Sequence, residues 1–285
     1  MVACAKQNVV PINVADKINL YDNVGQSHNE ALDYIFRKTF NVNSTTSYND
    51  VKKEIINYFL NVQPIFNDKA YCSNFCSTDE FDSDIKLSIS SKSILTEKTL
   101  NSNKYSIQQI NTLKDLDNII DSEKSDFDNL LFRITELENV SKKNLSKSDL
   151  PFILMTISIA KSSLSYWHSY KGQEWLNSLK NKPIQQVGEI KTLTNLKPLN
   201  IAQPSVDWSN VAKADIAGFL LGFPAGAIEG AQVGAVALGI ETAGLAALPG
   251  LLIGGAVGGT ATGLVKATAA SSAALAAEYL WNWLS

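Results

Sequence analysis

Few residues of this 285-residue chain could carry chemistry: two histidines (His28, His168), three cysteines (Cys4, Cys72, Cys76) and an acidic run of Asp79, Glu80, Asp82 and Asp84. Two His and one C-x3-C pair are a poor inventory for zinc, which needs about four Cys or His at short, fixed spacings. The acidic run lacks the alternating oxygen ligands, glycine turn and terminal bidentate Glu of a calcium loop. It reads as a solvated loop. No G-x-S-x-G, Walker loop, G-x-G-x-x-G or H-E-x-x-H occurs. His28 reads as a first-turn helix residue and His168 as a helix-end residue beside aromatics. The expectation is therefore no catalytic residue, no metal and no cofactor.

The chemistry that the spacing does support is helix packing. Glycines stand four apart at Gly218, Gly222, Gly226, Gly230 and Gly234, and again at Gly250, Gly254 and Gly258. Each costs about 1 kcal/mol against Ala inside a helix, so something must offset them. Close backbone approach along small-xxx-small rows does so for helices in lipid, and also for helices packed tightly inside a protein. Residues 242–265 are uncharged throughout. As a helix they would span roughly 36 Å, against a hydrocarbon core of about 30 Å. Tyr279, Trp281 and Trp283 beyond them suit an interfacial anchor. Pro224 predicts a kink or break, and Pro249 with Gly250 a helix start. Glu229, at about 100° per residue, falls on the glycine side of its helix. An intramembrane carboxylate is a functional hypothesis by default, so Glu229 and Glu241 are switch candidates. The glycine row sweeps roughly 160° of helix surface, more than one straight contact needs, and Phe219 and Phe223 fall inside the sweep.

The elements that must position this segment divide the chain. Residues 205–285 hold only Lys213, Lys266, Asp207, Asp215, Glu229, Glu241 and Glu278 as charged groups, whereas residues 1–204 are charge-balanced. Neither part is basic, which excludes a nucleic-acid partner on electrostatic grounds. The sequence predicts an all-α chain: a tether over 1–24, a helical domain over 25–180, a proline-containing linker over 181–206, and a hydrophobic helical hairpin of glycine-zipper type over 207–285. Within the helical domain Ser27-x-x-Glu30 forms a capping box for a first helix with Leu32, Ile35, Phe36 and Phe40 on its stripe. A second helix starts near Ser47, with Val51, Ile55, Tyr58, Phe59 and Val62 inward, and ends at Pro64. Residues 65–92 read as loop. Three helices follow: 106–121, with Ile107, Ile110 and Leu113 inward; 125–140, with Leu130 and Ile134; and 148–170, with Pro151 in its first turn. The last is apolar on most faces and reads as the central helix. Tyr166, Trp167, Tyr170 and Trp175 form an aromatic cluster that reads as core.

Three resemblances add to this reading. Val2-Ala3-Cys4 resembles the end of a bacterial lipobox, which implies Cys4 as a lipidation candidate and leaves Cys72 and Cys76 as a disulfide candidate. Val24-Gly25-x-x-His28-Asn29, with Leu32-Asp33-Tyr34-Ile35, resembles the opening of lipoproteins of the Bacteroidota. The glycine-rich tail resembles the hydrophobic hairpin of pore-forming colicins and the glycine-zipper bacteriocins. The resemblances imply a place in the bacterial cell envelope, at the outer membrane or secreted. They also imply a bilayer or a membrane protein as partner, homo-oligomers through the tail, and membrane insertion of an antibacterial, pore-forming kind. The alternative is a non-catalytic structural or interaction lipoprotein whose hairpin is buried or docks on a partner.

Overall fold

The computed structural model describes residues 21–40, 48–62, 78–91, 93–100, 104–123, 125–180, 208–237, 262–263 and 265–270. All regular structure among them is helical, as expected. In chain order the helices are α1 (Asp22–Ile35), α2 (Tyr48–Asn57), α3 (Asp79–Ser90), the single turn α4 (Glu97–Leu100), α5 (Ile107–Glu123), α6 (Phe127–Asn144), α7 (Leu150–His168), α8 (Tyr170–Lys180) and α9 (Trp208–Ala237). One π-helical turn extends α1 (Phe36–Phe40) and another extends α2 (Tyr58–Val62). Residues 262–263 and 265–270 are also helical and buried.

Helix α7 is the central element. Phe152 through Ala160 are all buried, because the run has almost no polar face to turn to water. α1 lies on one side of it and α9 on another, α6 and α8 also touch it, and α9 reaches α3 as well. Its entry is set by Ser146, whose hydroxyl accepts from the Asp149 N–H at 3.1 Å, and by Pro151 in the first turn. α5 opens on a reciprocal capping box. Ser106 Oγ accepts from Gln109 N at 3.1 Å, and Gln109 Oε1 accepts from Ser106 N at 2.9 Å. α6 opens on Asp126, whose side chain accepts from Asn129 N.

Several local expectations are corrected. Helix α1 begins at Asp22, so Ser27 lies inside it and Ser27-x-x-Glu30 caps nothing; part of the expected tether is helical. Residues 79–90, expected as loop, form α3. Thr78 Oγ1 accepts from Phe81 N at 3.0 Å, and Asp79, Glu80 and Asp82 fill the first turn, where carboxylates favour the positive end of the helix dipole. The acidic run is thus a helix start rather than a solvated loop. Ile107 and Val62, expected inward, are exposed, as is Tyr170 of the aromatic cluster. Of the kink or break expected at Pro224, there is no break: α9 continues through it.

The stretch 181–207 lies outside the described residues. On either side of it, Trp167 and Trp175 belong to one hydrophobic core with Val211, Phe219 and Leu220. Cys4, Cys72, Cys76, Glu241, Gly250, Gly254, Gly258, Tyr279, Trp281 and Trp283 also fall outside the described residues. Gly226, Glu229, Gly230 and Gly234 lie on α9, in a part whose side-chain packing is not described.

Candidate functional site

Helix α9 meets the helical residues 262–263 and 265–270 along a glycine seam. A Cβ placed on Gly218 would stand 2.6 Å from the Lys266 carbonyl oxygen, and one on Gly222 2.5 Å from the Thr262 oxygen. No side chain fits there, so these two glycines bring backbone against backbone. Phe219 lies between them, and its ring covers Gly263, where a Cβ would come within 2.7 Å of it. That explains how an aromatic sits within the glycine sweep: the opposing segment supplies a glycine of its own. Thr262 Oγ1 donates to the Gly222 carbonyl at 2.7 Å across the seam. The seam brings together Gly218 and Gly222 of the expected row, and adds Gly263, which stands outside both four-residue series.

Each described ionisable group of these C-terminal helices is buried and held by the N-terminal bundle. Lys213 Nζ lies 2.6 Å from Asp121 and 3.4 Å from Asp117, both on α5. Lys266 pairs with Asp84 on α3. Burial pulls the Lys266 ammonium down from its ordinary value, and Asp84 offsets this only in part. Asp84 also receives Lys98 at 2.8 Å, and Lys98 bridges on to Glu80. Burial lowers the Lys98 value too, but its two carboxylates outweigh burial and leave it raised. For Glu80, the hydrogen bond and charge of Lys98 hold the carboxyl below its usual range.

Asp215 is fully buried between α1 and α7. Its Oδ2 accepts from Ser163 Oγ at 2.5 Å and from Trp167 Nε1 at 2.9 Å. Its Oδ1 faces His28 Nε2 at 3.3 Å, off the line of a hydrogen bond. His28, expected as an unaccompanied first-turn residue, is thus fully buried and paired with a carboxylate. Ser163 donates to the Asp rather than to the His, and both ring and carboxylate are closed to solvent, so the trio is not a nucleophilic triad. The Val24-Gly25-x-x-His28-Asn29 stretch acquires a physical role here. A Cβ on Gly25 would fall 2.3 Å from the Ser158 carbonyl oxygen, so α1 rests on the α7 backbone at that point. Gly25 N–H, near the start of α1, donates to Ser158 Oγ at 2.9 Å. Asn29 Nδ2 donates to the Ser162 carbonyl at 3.0 Å.

A shallow polar depression of about 440 Å³ lies outside this contact, lined by Asn29, Asp33, Ser162, Tyr166 and Lys171 among others. Asp33 accepts from the Tyr166 hydroxyl at 3.0 Å and pairs with Lys171, while Glu30, also in the lining, accepts from the Gln26 amide. His168 stacks on Phe127 at 4.0 Å between ring centroids, as its aromatic surroundings suggested. Among the described residues no cluster of His, Cys, Asp and Glu could hold a metal ion. Sequence reasoning missed Asp84, Ser163, Asp215 and the two lysines as partners. The signal that could have found them is the isolation of Lys213, Asp215 and Lys266 in an otherwise apolar segment. No protein family model, curated protein or solved structure matches the chain.

Proposed function

We propose that the protein is a non-enzymatic, membrane-inserting protein of the bacterial envelope or its secretions, of antibacterial pore-forming type, whose helical bundle grips the base of a glycine-rich apolar hairpin. The observation that carries this reading is the seam itself: residues 208–224 pack against 262–263 and 265–270 through Gly218, Gly222 and Gly263, and the two flank an almost uncharged run. Backbone-to-backbone packing of this kind holds helices together in lipid, where exclusion of apolar surface from water gives no attraction. The bundle would shield the two legs, and the run between them would be the part that meets a bilayer or a membrane protein.

A second reading, a structural or interaction protein whose hairpin stays buried, is favoured by Lys213, Asp215 and Lys266. All three are buried and paired within the bundle. A charged side chain at a bilayer centre costs about 2.5–3.5 kcal/mol on insertion scales, which opposes transfer of the legs themselves. Among the described residues no helix is long and apolar enough to cross a membrane.

Dye-loaded vesicles separate the two readings. The full chain is expected to release dye, and Gly226→Leu or Gly254→Leu is expected to abolish release. No release at neutral or mildly acid pH from a monomeric, detergent-free protein overturns the insertion reading and leaves the second.

A further inference from the structure

Both ring nitrogens of His28 face oxygen acceptors. Nε2 faces Asp215 Oδ1 at 3.3 Å and Nδ1 faces Asn29 Oδ1 at 3.1 Å. The orientation of the Asn29 amide follows from its other contact, since the Ser162 carbonyl can only accept and so fixes Nδ2 toward itself. The Asp215 carboxylate is likewise oriented, because Trp167 Nε1 can only donate and so makes Oδ2 an acceptor. A neutral imidazole carries one N–H and can satisfy only one of the two acceptors. A buried carboxylate with no counter-charge is costly, and neither His28 Nε2 nor Asp215 Oδ1 has a hydrogen-bond partner.

The surrounding charges are engaged elsewhere. Lys213, on α9 itself, is bound to Asp117 and Asp121 of α5. Lys161 of α7 is bound to Glu138 and Asp22, and Lys171 of α8 to Asp33 of α1. Tyr166 of α7 is a phenol whose ionisation is pushed far up by burial and by the nearby Asp33 and Asp215.

We propose that His28 and Asp215 share one buried proton that fastens the C-terminal helix α9 to α1, so that the grip on the C-terminal segment is itself proton-dependent. With the proton present the pair is neutral overall, either as imidazolium and carboxylate or with the proton on Asp215 Oδ1 pointing at Nε2. With the proton lost, a carboxylate stays buried beside a bare ring nitrogen. The clamp therefore weakens as pH rises. This regulates the contact on which the proposed function rests, but it concerns only how α9 is held and involves no lipid.

The test uses the full chain without vesicles, so its failure is distinct from failure of the insertion reading. At about pH 7.5, roughly one unit above the ordinary histidine value, a free imidazole is mostly neutral. Nitrogen NMR of the His28 ring is expected to show that the pair still holds its proton at that pH. Amide hydrogen exchange over residues 211–221, corrected for intrinsic rates, is expected to lose at least about tenfold protection once the proton leaves at higher pH. Asp215→Asn replaces the shared proton by an amide N–H that can donate to Nε2, so this variant is expected to keep its protection at every pH. A neutral His28 ring beside an ionised Asp215 at about pH 7.5 overturns the proposal, as does an equal loss of protection in Asp215→Asn. If that variant does not fold, the wild-type ring nitrogens decide alone.

Discussion

The hydroxyl of Tyr105 donates to the carbonyl oxygen of Leu220, four residues before Pro224. Proline has no N–H, so the Leu220 carbonyl lacks the donor that residue 224 would otherwise supply within α9. An interior proline costs a helix about 3 kcal/mol, part of it from this lost bond. Tyr105 is buried deeply enough for its phenol to be pushed well above its ordinary value. It therefore meets the carbonyl as a neutral donor, which is how α9 continues through Pro224, where a kink or break was expected.

Tyr105→Phe should accordingly destabilise the protein by about 1–2 kcal/mol, since it leaves a buried carbonyl unsatisfied. Pro224→Ala restores the helical N–H to Leu220. In that background the same Tyr105→Phe change should cost clearly less, with a coupling of at least about 0.5 kcal/mol in urea unfolding. Additive effects of the two substitutions would show that Tyr105 does not act through the Leu220 carbonyl.

The glycine seam makes an equally direct claim. On an open helix face, Gly→Ala stabilises by up to about 1 kcal/mol through helix propensity. At Gly218 and Gly222 the new methyl would meet backbone oxygens at 2.6 and 2.5 Å, which cannot rotate away as a flexible side chain can. Overpacking of this kind costs about 1–3 kcal/mol and should outweigh the propensity gain. Both alanine variants are expected to melt below wild type in a thermal scan. A rise in Tm for either would mean that the two segments do not pack at that distance.

What was legible in the sequence follows from how local each signal is. The stripe of α6, that of α5 apart from Ile107, and the central position of α7 depend on residues within a few turns, and the structure has them. Ser27-x-x-Glu30 shows the limit of local pattern: it matches a capping box as well as Ser106-x-x-Gln109 does, yet it lies inside a helix whose first turn begins at Asp22. α3 was hidden because its acidic first turn looks like surface loop, although Thr78 supplied a start signal. The core of the candidate site was not legible. His28, Ser163, Asp215 and Lys266 come from segments far apart in the chain, and no spacing rule connects them. An isolated charge in an apolar helix announces that it needs a partner without saying which. The part of the glycine row beyond Gly222, with Glu229, was legible only as a pattern.

The contact between α1 and α7 yields a third prediction. Gly25→Ala would put a methyl 2.3 Å from the Ser158 carbonyl oxygen. Relief would require α1 to move off α7, which would strain the Gly25–Ser158 and Asn29–Ser162 hydrogen bonds together. We expect a loss of about 1–3 kcal/mol by urea unfolding, with faster amide exchange concentrated in α1. Asn29→Ala, which removes one hydrogen bond without a clash, should cost about 0.5–1.5 kcal/mol. A Gly25→Ala variant as stable as wild type would show that α1 does not rest on the α7 backbone.

Lys266 and Asp84 give the last. Both side chains are almost wholly buried, so solvent screens their attraction little. Replacing one partner of such a pair leaves the other uncompensated and typically costs about 3–5 kcal/mol. Asp84 keeps Lys98 at 2.8 Å when Lys266 is removed, so Lys266→Met should fall at or below the low end of that range. Lys98 sits nearer to water and reaches only one of the two Asp84 oxygens, so Asp84→Asn, which removes the carboxylate charge beside a buried ammonium, should cost more than Lys266→Met. The pH dependence has a definite sign. The folded-state value of Lys266 lies below the ordinary 10.5, chiefly because burial penalises the ammonium. A lysine with a lowered folded value gives up its proton more readily folded than unfolded, so its contribution to stability rises as pH climbs through that lowered value toward 10.5. The stability of wild type relative to Lys266→Met should therefore increase as pH is raised over this window, when both are unfolded in urea at matched ionic strength. A relative stability that falls over the same window would mean that Asp84 outweighs burial and holds the ammonium above its ordinary value.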